Sequence, residues 1–135
     1  MYFFGHRDAP EKLETALGKI LTELIEKEHI DLFLVGNNGS FDALVYRQLI
    51  TLAQRYNIKY FVVFAYVNEK KQYENLIVAD GCEKALPKFA ILHRNMWMLK
   101  QAELVITYVN HPSSGAGKMK DLAVKQGKKV INIIA

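Results

Sequence analysis

Short, almost wholly apolar segments alternate along this chain with longer segments whose apolar residues recur every three or four positions. The first kind is typical of strands buried on both faces, and the second of helices with one apolar stripe. The alternation predicts a mostly parallel sheet of about five strands in an open α/β layer, too few for a barrel. We expect strands over 2–4, 31–35, 58–67, 103–109 and 130–134. Helices are expected from a cap at Asp8 through an apolar stripe over 13–25, from 40 onward, over 91–102 and over 115–126.

The chain has the size and composition of one globular domain. Its 135 residues are 50% hydrophobic and 24% charged, so a core can form and disorder is not indicated. The longest apolar run, 60–67, is far shorter than the roughly 20 residues that cross a bilayer. No signal peptide is evident, and Cys82 is the only cysteine. We therefore expect a single Rossmann-like three-layer domain over 1–135, located in the cytoplasm.

Two helix ends carry sequence signals of their own. Asp8 precedes the first apolar stripe, Pro10 falls in the expected first turn, and Glu11 is placed as in a capping box. This pattern predicts that Asp8 caps the first helix. Gly127 follows the last helical stripe and is expected to end that helix.

The segment 68–89 differs from the rest of the chain. It begins with polar and charged residues and has a strand-like run only at 76–78. A stretch of about 20 residues without regular structure is uncommon inside a compact domain and tends to be functional. We interpret this segment as a lid.

Polar and glycine-bearing turns follow three of the expected strands. In an open parallel sheet the ligand lies beyond the carboxyl ends of the strands, where the strand order reverses. Glycines let backbone amides approach a phosphate, and a helix beginning beyond the turn offers free N–H groups and the positive end of its dipole. The candidate ligand-binding residues in these turns are Gly5, His6 and Arg7, then Gly36, Asn37, Gly39, Ser40 and Asp42, and finally Ser114, Gly115, Gly117 and Lys118.

Two common nucleotide-binding motifs are absent. Gly117 and Lys118 resemble the end of a P-loop, but Pro112 occupies the first glycine position and Met119 the Ser/Thr position. Gly5 is not followed by the further glycines of the dinucleotide fingerprint, which disfavours a standard NAD dehydrogenase. Four dispersed histidines and one cysteine do not form a metal site, so we expect neither a metal nor a cofactor.

Taken together, the turns resemble the SLOG superfamily, a Rossmann-like group that includes LOG-type phosphoribohydrolases and the YspA-like proteins. The resemblance spans nearly the whole chain. LOG enzymes carry an R-K-x-x-M helix motif and a G-G-x-G-T-x-x-E loop motif, which hold a nucleoside monophosphate and break its N-glycosidic bond. Arg94, Asn95 and Met98 fall on the first motif, and Ser114, Gly115, Gly117, Lys118 and Asp121 on the second.

The match to these two motifs is partial, because Asn95, Ser114, Lys118 and Asp121 replace Lys, Gly, Thr and Glu. The retained positions suit phosphate contact, and the changed ones are linked to catalysis. The resemblance therefore implies a module that binds a nucleotide or nucleotide-derived phosphate ligand, as a sensor or sequestering protein. The alternative is a phosphoribohydrolase, in which Arg94 anchors the phosphate and Asp121 acts on the ribose or on water.

The resemblance also implies a homodimer, formed through the apolar helix around Trp97. No membrane partner is expected. The net charge of +4 favours anionic ligands, and five lysines lie between 118 and 129. We interpret them as a solvated helix face; nucleic-acid binding through these lysines is the weaker hypothesis.

Overall fold

The computed structural model describes residues 1–6, 8–36, 39–64, 76–78, 90–110 and 113–133, which alternate between strand and helix. The strands are β1 (Tyr2–Gly5), β2 (Leu32–Val35), β3 (Lys59–Phe64), β4 (Leu76–Val78), β5 (Leu104–Tyr108) and β6 (Lys129–Asn132). The helices are α1 (Leu13–Lys27), α2 (Ser40–Ala53), α3 (Ala90–Gln101) and α4 (Gly115–Lys125). The predicted α/β fold class is confirmed.

The described strands form one all-parallel sheet in the order β4-β3-β2-β1-β5-β6. Tyr2 of β1 stands opposite Leu34 of β2 on one side and Val105 of β5 on the other. Strands β2, β3 and β4 lie in that order on one side of β1, and strands β5 and β6 lie on its other side. The strand order therefore reverses between β1 and β5, which is where a ligand crevice is expected.

Two apolar cores lie on opposite faces of the sheet, because successive strand residues point to opposite sides. Phe3 and Phe33 pack beneath α1 and α2, in the core that also holds Leu17 and Leu49. The helices α3 and α4 cover the other face, where Tyr2 and its neighbours pack on them. The sheet is thus the middle of three layers, which explains why its strands are almost wholly apolar.

Helix α1 begins later than its sequence signals predict. Its N-cap is Lys12, which makes no side-chain cap, so the prediction that Asp8 caps this helix is wrong. The carbonyl of Pro10 instead accepts a hydrogen bond from the N–H of Leu13 at 3.1 Å, in a turn that precedes the helix. The Ser40 hydroxyl donates to the Ala9 carbonyl at 3.2 Å, so a tertiary contact with α2 holds this segment outside the helix.

Helix α4 ends where its sequence signal predicts. Gly127 has a φ of 76°, in the left-handed region that favours glycine. The N–H of Lys128 donates to the Ala123 carbonyl and the N–H of Gly127 to the Val124 carbonyl, both at 3.0 Å. These two bonds form a Schellman motif, and the prediction that Gly127 ends the helix is confirmed.

The segment that we interpreted as a lid falls largely outside the described residues. Only 76–78 of it is described, and these residues add β4 to the edge of the sheet beside β3. Residues 68–75 and 79–89 are not described, so the lid stays a prediction. None of the described helices combines the length and apolar character needed to cross a bilayer.

Candidate functional site

A crevice of about 400 Å³ opens beside the carboxyl end of β1, at the reversal of strand order. This volume lies within the range of small-molecule sites. The crevice is bounded by β1, the first turn of α2, the helix α3 and the N-terminus of α4. Its lining residues are Tyr2, Phe3, Phe4, Gly5, His6, Asp42, Ile91, Arg94, Asn95, Ser114, Gly115 and Ala116.

The structure brings together many, but not all, of the sequence-predicted site residues. Those that line the crevice are Gly5, His6, Asp42, Arg94, Asn95, Ser114 and Gly115. Gly36, Gly39, Ser40, Gly117, Lys118 and Asp121 are described but are not among its lining residues. Arg7 and Asn37 lie outside the described residues. Lys118 and Asp121 are exposed on α4, so the predicted catalytic carboxylate does not reach into the crevice.

The N-terminus of α4 presents free backbone donors to the crevice. Ser114 is the N-cap, and its hydroxyl oxygen accepts from the N–H of Gly117 at 3.0 Å. The first backbone bond of the helix runs from the N–H of Lys118 to the Ser114 carbonyl. The N–H groups of Gly115 and Ala116 precede that bond and have no acceptor within the described residues. Both residues line the crevice, so their amides are available to a ligand.

Arg94 lies in the wall of the crevice, where its side chain is only 2% exposed. Its Nε–H donates to Asn95 Oδ1 at 3.0 Å, and Nη1 has a long contact of 3.5 Å with the Val63 carbonyl. A Cβ on Gly36 would stand 2.9 Å from both Nη1 of Arg94 and Oδ2 of Asp42, so these two charged groups lie close together over Gly36. A buried guanidinium requires such a counter-charge, and Asp42 is itself 9% exposed.

Tyr2 is a site residue that the sequence did not reveal. Its hydroxyl donates to Asn95 Oδ1 at 2.8 Å, and its side chain is 1% exposed. Burial raises the pKa of the Tyr2 phenol well above its ordinary value; the Arg94 charge opposes this rise and the Asp42 charge adds to it. Within an apolar strand, Tyr2 is indistinguishable in sequence from a core aromatic residue, and nothing in the pattern marks its hydroxyl.

His6 connects the ends of the neighbouring strands β1 and β5. Its Nε2 accepts a hydrogen bond from the N–H of Asn110 at 2.8 Å, so the imidazole carries its proton on Nδ1 when neutral. Its own backbone N–H donates to the Tyr108 carbonyl at 3.2 Å, and its ring stands edge-on to the Tyr108 ring. His6 thus links Asn110, just beyond β5, to the end of β1 at the wall of the crevice.

Gly5 allows α2 to approach β1 closely. A Cβ at Gly5 would lie 2.2 Å from two ring atoms of Phe41, a residue in the first turn of α2. Gly39 is the N-cap of that helix and has a φ of 113°. These glycines therefore set the position of Asp42, one turn into α2, although Gly39 does not itself line the crevice.

Among the described residues, no group of three or more His, Cys, Asp or Glu side chains is placed to hold a metal ion. Compared with protein-family models, curated proteins and solved structures, the chain matches none. Membership of the SLOG superfamily therefore stays a prediction from the two partial sequence motifs.

Proposed function

We propose that this chain binds a nucleotide, or a phosphate ligand derived from one, in the crevice and acts as a sensor or sequestering module. The observation that carries the proposal is the pair of free N–H groups of Gly115 and Ala116, which open into a crevice also lined by Arg94. Helix N-termini bind anions through such amides and through the helix dipole. The position at the reversal of strand order supports the same assignment.

The two sides of the crevice suit different parts of a nucleotide. The α4 side offers the N–H groups of Gly115 and Ala116, which can only donate hydrogen bonds. Asp42 lines the crevice from α2, and its carboxylate can only accept them when ionised. A ligand with phosphate oxygens at one end and sugar hydroxyls at the other satisfies both sides.

The first test is mass spectrometry of the small molecules that the purified protein releases on denaturation. We expect a nucleotide or a related phosphate ester to copurify. Protein stripped of ligand is then titrated with a panel of nucleoside mono-, di- and triphosphates, and a binding nucleotide should raise Tm. Absence of both a copurified phosphate compound and any Tm shift across the panel would contradict the proposal.

A charge-specific variant tests the site without disturbing the fold. A Cβ at Gly115 would meet nothing within 4 Å, so a side chain fits there. Gly115→Asp places a carboxylate beside the free amides, which favours the helix N-terminus but repels a phosphate. We expect nucleotide affinity to fall roughly 100-fold at low salt. Gly115→Asn is the matched control of equal size and should lose far less; equal losses in both variants would mean that bulk, and not charge, is responsible.

The alternative function, phosphoribohydrolase, has less support. It assigns a catalytic role to Asp121, which is exposed on α4 and does not line the crevice, whereas Asp42 does. The hydrolase hypothesis predicts release of free base from a nucleoside monophosphate and loss of that activity in Asp121→Asn. A panel of nucleoside monophosphates that yields no free base would reject it.

A homodimer is a further part of the proposal. Leu92 is 52% exposed and Met96 is 38% exposed, one turn apart on the outer side of α3. Trp97, next to Met96, is partly buried. Covering such apolar side chains is a common reason for association. Size-exclusion chromatography with light scattering should give twice the chain mass, and Met96→Glu should return the protein to monomer. A monomeric wild-type protein at high concentration would remove this part of the proposal.

A further inference from the structure

The side-chain amide of Asn95 is held in one orientation by a neighbour that can only donate. Arg94 Nε–H lies 3.0 Å from Oδ1 of Asn95, and a guanidinium has no acceptor. If the amide were turned by 180°, its NH₂ group would face this N–H, and two donors would oppose each other. The atom facing Arg94 is therefore the oxygen.

Tyr2 provides a second donor to the same oxygen. Its hydroxyl lies 2.8 Å from Asn95 Oδ1. Because burial raises the pKa of this phenol well above 10.0, the group keeps its proton at any neutral pH and remains a donor. The two lone pairs of Oδ1 are then both occupied, one by Arg94 and one by Tyr2.

The other end of the amide is not used in this way. Asn95 is partly exposed and lines the crevice. Within the described part of the chain, Nδ2 has no acceptor. With Oδ1 directed into the protein toward Tyr2 and Arg94, the two N–H bonds of Nδ2 are left for the crevice.

We propose that Tyr2 is a positioning residue that, together with Arg94, orients Asn95 so that Nδ2 donates to a ligand phosphoryl oxygen in the crevice. This inference rests on the proposed function and adds a specificity element to it. Nδ2 and the backbone amides of Gly115 and Ala116 are all hydrogen-bond donors. This part of the crevice therefore favours a ligand group, such as a phosphoryl oxygen, that only accepts hydrogen bonds. A hydroxyl or amino group that could not satisfy all of these donors binds more weakly, because each donor that the ligand covers without pairing loses its hydrogen bond to water.

The direct test is a ¹⁵N–¹H NMR titration with two probes, inorganic phosphate and adenosine 5′-monophosphate. We expect the Nδ2 signals of Asn95 to shift together with the backbone amides of Gly115 and Ala116. If the two backbone amides shift and the Asn95 signals do not, the inference is wrong while phosphate binding at α4 stands. If none of the three groups shifts with either probe, both the inference and the proposed function are overturned.

Asn95→Asp separates positioning from binding. The aspartate keeps an oxygen for Tyr2 and Arg94. The bond from Tyr2 becomes charge-assisted and the bond from Arg94 becomes an ion pair, so the fold should be retained. The second oxygen replaces the Nδ2 donors with a negative acceptor facing the phosphate. We expect affinity for adenosine 5′-monophosphate to fall roughly 100-fold. Wild-type affinity in this variant would overturn the inference.

Tyr2→Phe tests the positioning role itself. It removes one hydroxyl and leaves the buried ring, so Oδ1 keeps only Arg94 as a donor. We expect roughly 5-fold weaker binding of adenosine 5′-monophosphate and sharper Nδ2 signals from a more mobile amide. Tyr60→Phe makes the same deletion in a strand tyrosine that packs in the opposite core, and it should change neither quantity. Unchanged affinity and unchanged Nδ2 signals in Tyr2→Phe would show that Tyr2 does not position the amide.

Discussion

Glycine has different roles at the ends of β1 and β2 and at the start of α4. At the ends of β1 and β2, Gly5 and Gly36 are covered: a Cβ would lie 2.2 Å from the Phe41 ring at Gly5, and 2.9 Å from Arg94 and Asp42 at Gly36. At the start of α4, beyond β5, a Cβ at Gly115 would meet nothing within 4 Å. The ends of β1 and β2 are therefore covered by packed side chains, whereas the start of α4 is open toward the crevice.

This difference shows how a glycine after a strand should be interpreted. Gly5 ends β1, Gly36 follows β2 and Gly115 begins α4, all beyond the carboxyl ends of the strands, and the sequence predicts that each lets the backbone approach a phosphate. In the structure, Gly5 lets a helix approach a strand, and Gly36 makes room for a buried guanidinium and carboxylate. Only the open position, Gly115, has space for a ligand to approach the backbone directly.

The largest effect is expected for Gly5→Ala. The added methyl group would overlap the ring of Phe41, which is 1% exposed and packs in the core. Overpacking of a core typically costs 1–3 kcal/mol, and an overlap with the base of a buried ring belongs at the upper end, about 3 kcal/mol. Urea unfolding monitored by circular dichroism measures the loss.

Phe41→Leu in the Gly5→Ala background should recover part of that stability, because the smaller side chain relieves the overlap. The pair forms a double-mutant cycle, in which the coupling energy isolates the contact. If the two single effects simply add, the close approach of α2 to β1 is not what requires glycine at position 5.

A smaller loss, about 1–2 kcal/mol, is expected for Gly36→Ala. Here the methyl group meets the far ends of two side chains, Arg94 and Asp42, which can shift more readily than an aromatic ring. Because Arg94 also bonds Asn95, the shift should propagate to the crevice and weaken nucleotide binding. Isothermal titration calorimetry alongside urea unfolding separates the two effects, and a destabilised variant with intact affinity would show that Arg94 does not act on the ligand.

The sequence was informative where a pattern depends on few contacts. Strands buried on both faces are nearly all apolar, and helices repeat every three or four residues, so the layers and the parallel sheet could be predicted. The convergence of the turns after β1, β2 and β5 then follows from the topology. Even so, the residues Gly36, Gly39, Ser40 and Gly117 do not line the crevice and contribute instead to the packing or the helix caps around it.

The sequence was uninformative where a role depends on which way a side chain faces. The resemblance to the LOG loop motif assigns Lys118 and Asp121 to the site, but α4 turns both toward solvent and buries Gly117, Met119 and Ala123 instead. Asp8 failed as a cap because a contact from Ser40 holds its neighbour Ala9 outside the helix. Each outcome depends on a distant element, which local spacing does not encode.

Gly115→Ala is expected to change stability in the opposite direction from the covered glycines. With open space for the methyl group, the main effect is a less flexible unfolded chain, which stabilises the fold by about 0.5 kcal/mol. Gly127→Ala is the matched control, because its Cβ also meets nothing but its φ is 76°, and it should destabilise. A loss of stability in Gly115→Ala, comparable to that of Gly36→Ala, would erase the distinction between covered and open junctions.

The smallest effect on stability is expected for a charged contact between α1 and α2. Glu14 of α1 accepts hydrogen bonds from Gln48 and Arg47 of α2, both at 3.0 Å, and these lower its pKa below the ordinary 4.5. A lowered pKa means that the ionised form is favoured in the folded state. The resulting stability is complete above pH 4.5 and is lost as the pH falls through the folded pKa.

Glu14→Gln keeps an acceptor for Gln48 and removes only the charge. We expect a loss of a few tenths of a kcal/mol at pH 7, because the pair is exposed and screened, and no difference from wild type once the pH is well below 4.5. Urea unfolding at both pH values, with and without added salt, measures it. A loss of stability as large as that of Gly5→Ala would contradict this. It would mean that the Glu14–Arg47 ion pair, and not apolar packing, is the main interaction between α1 and α2.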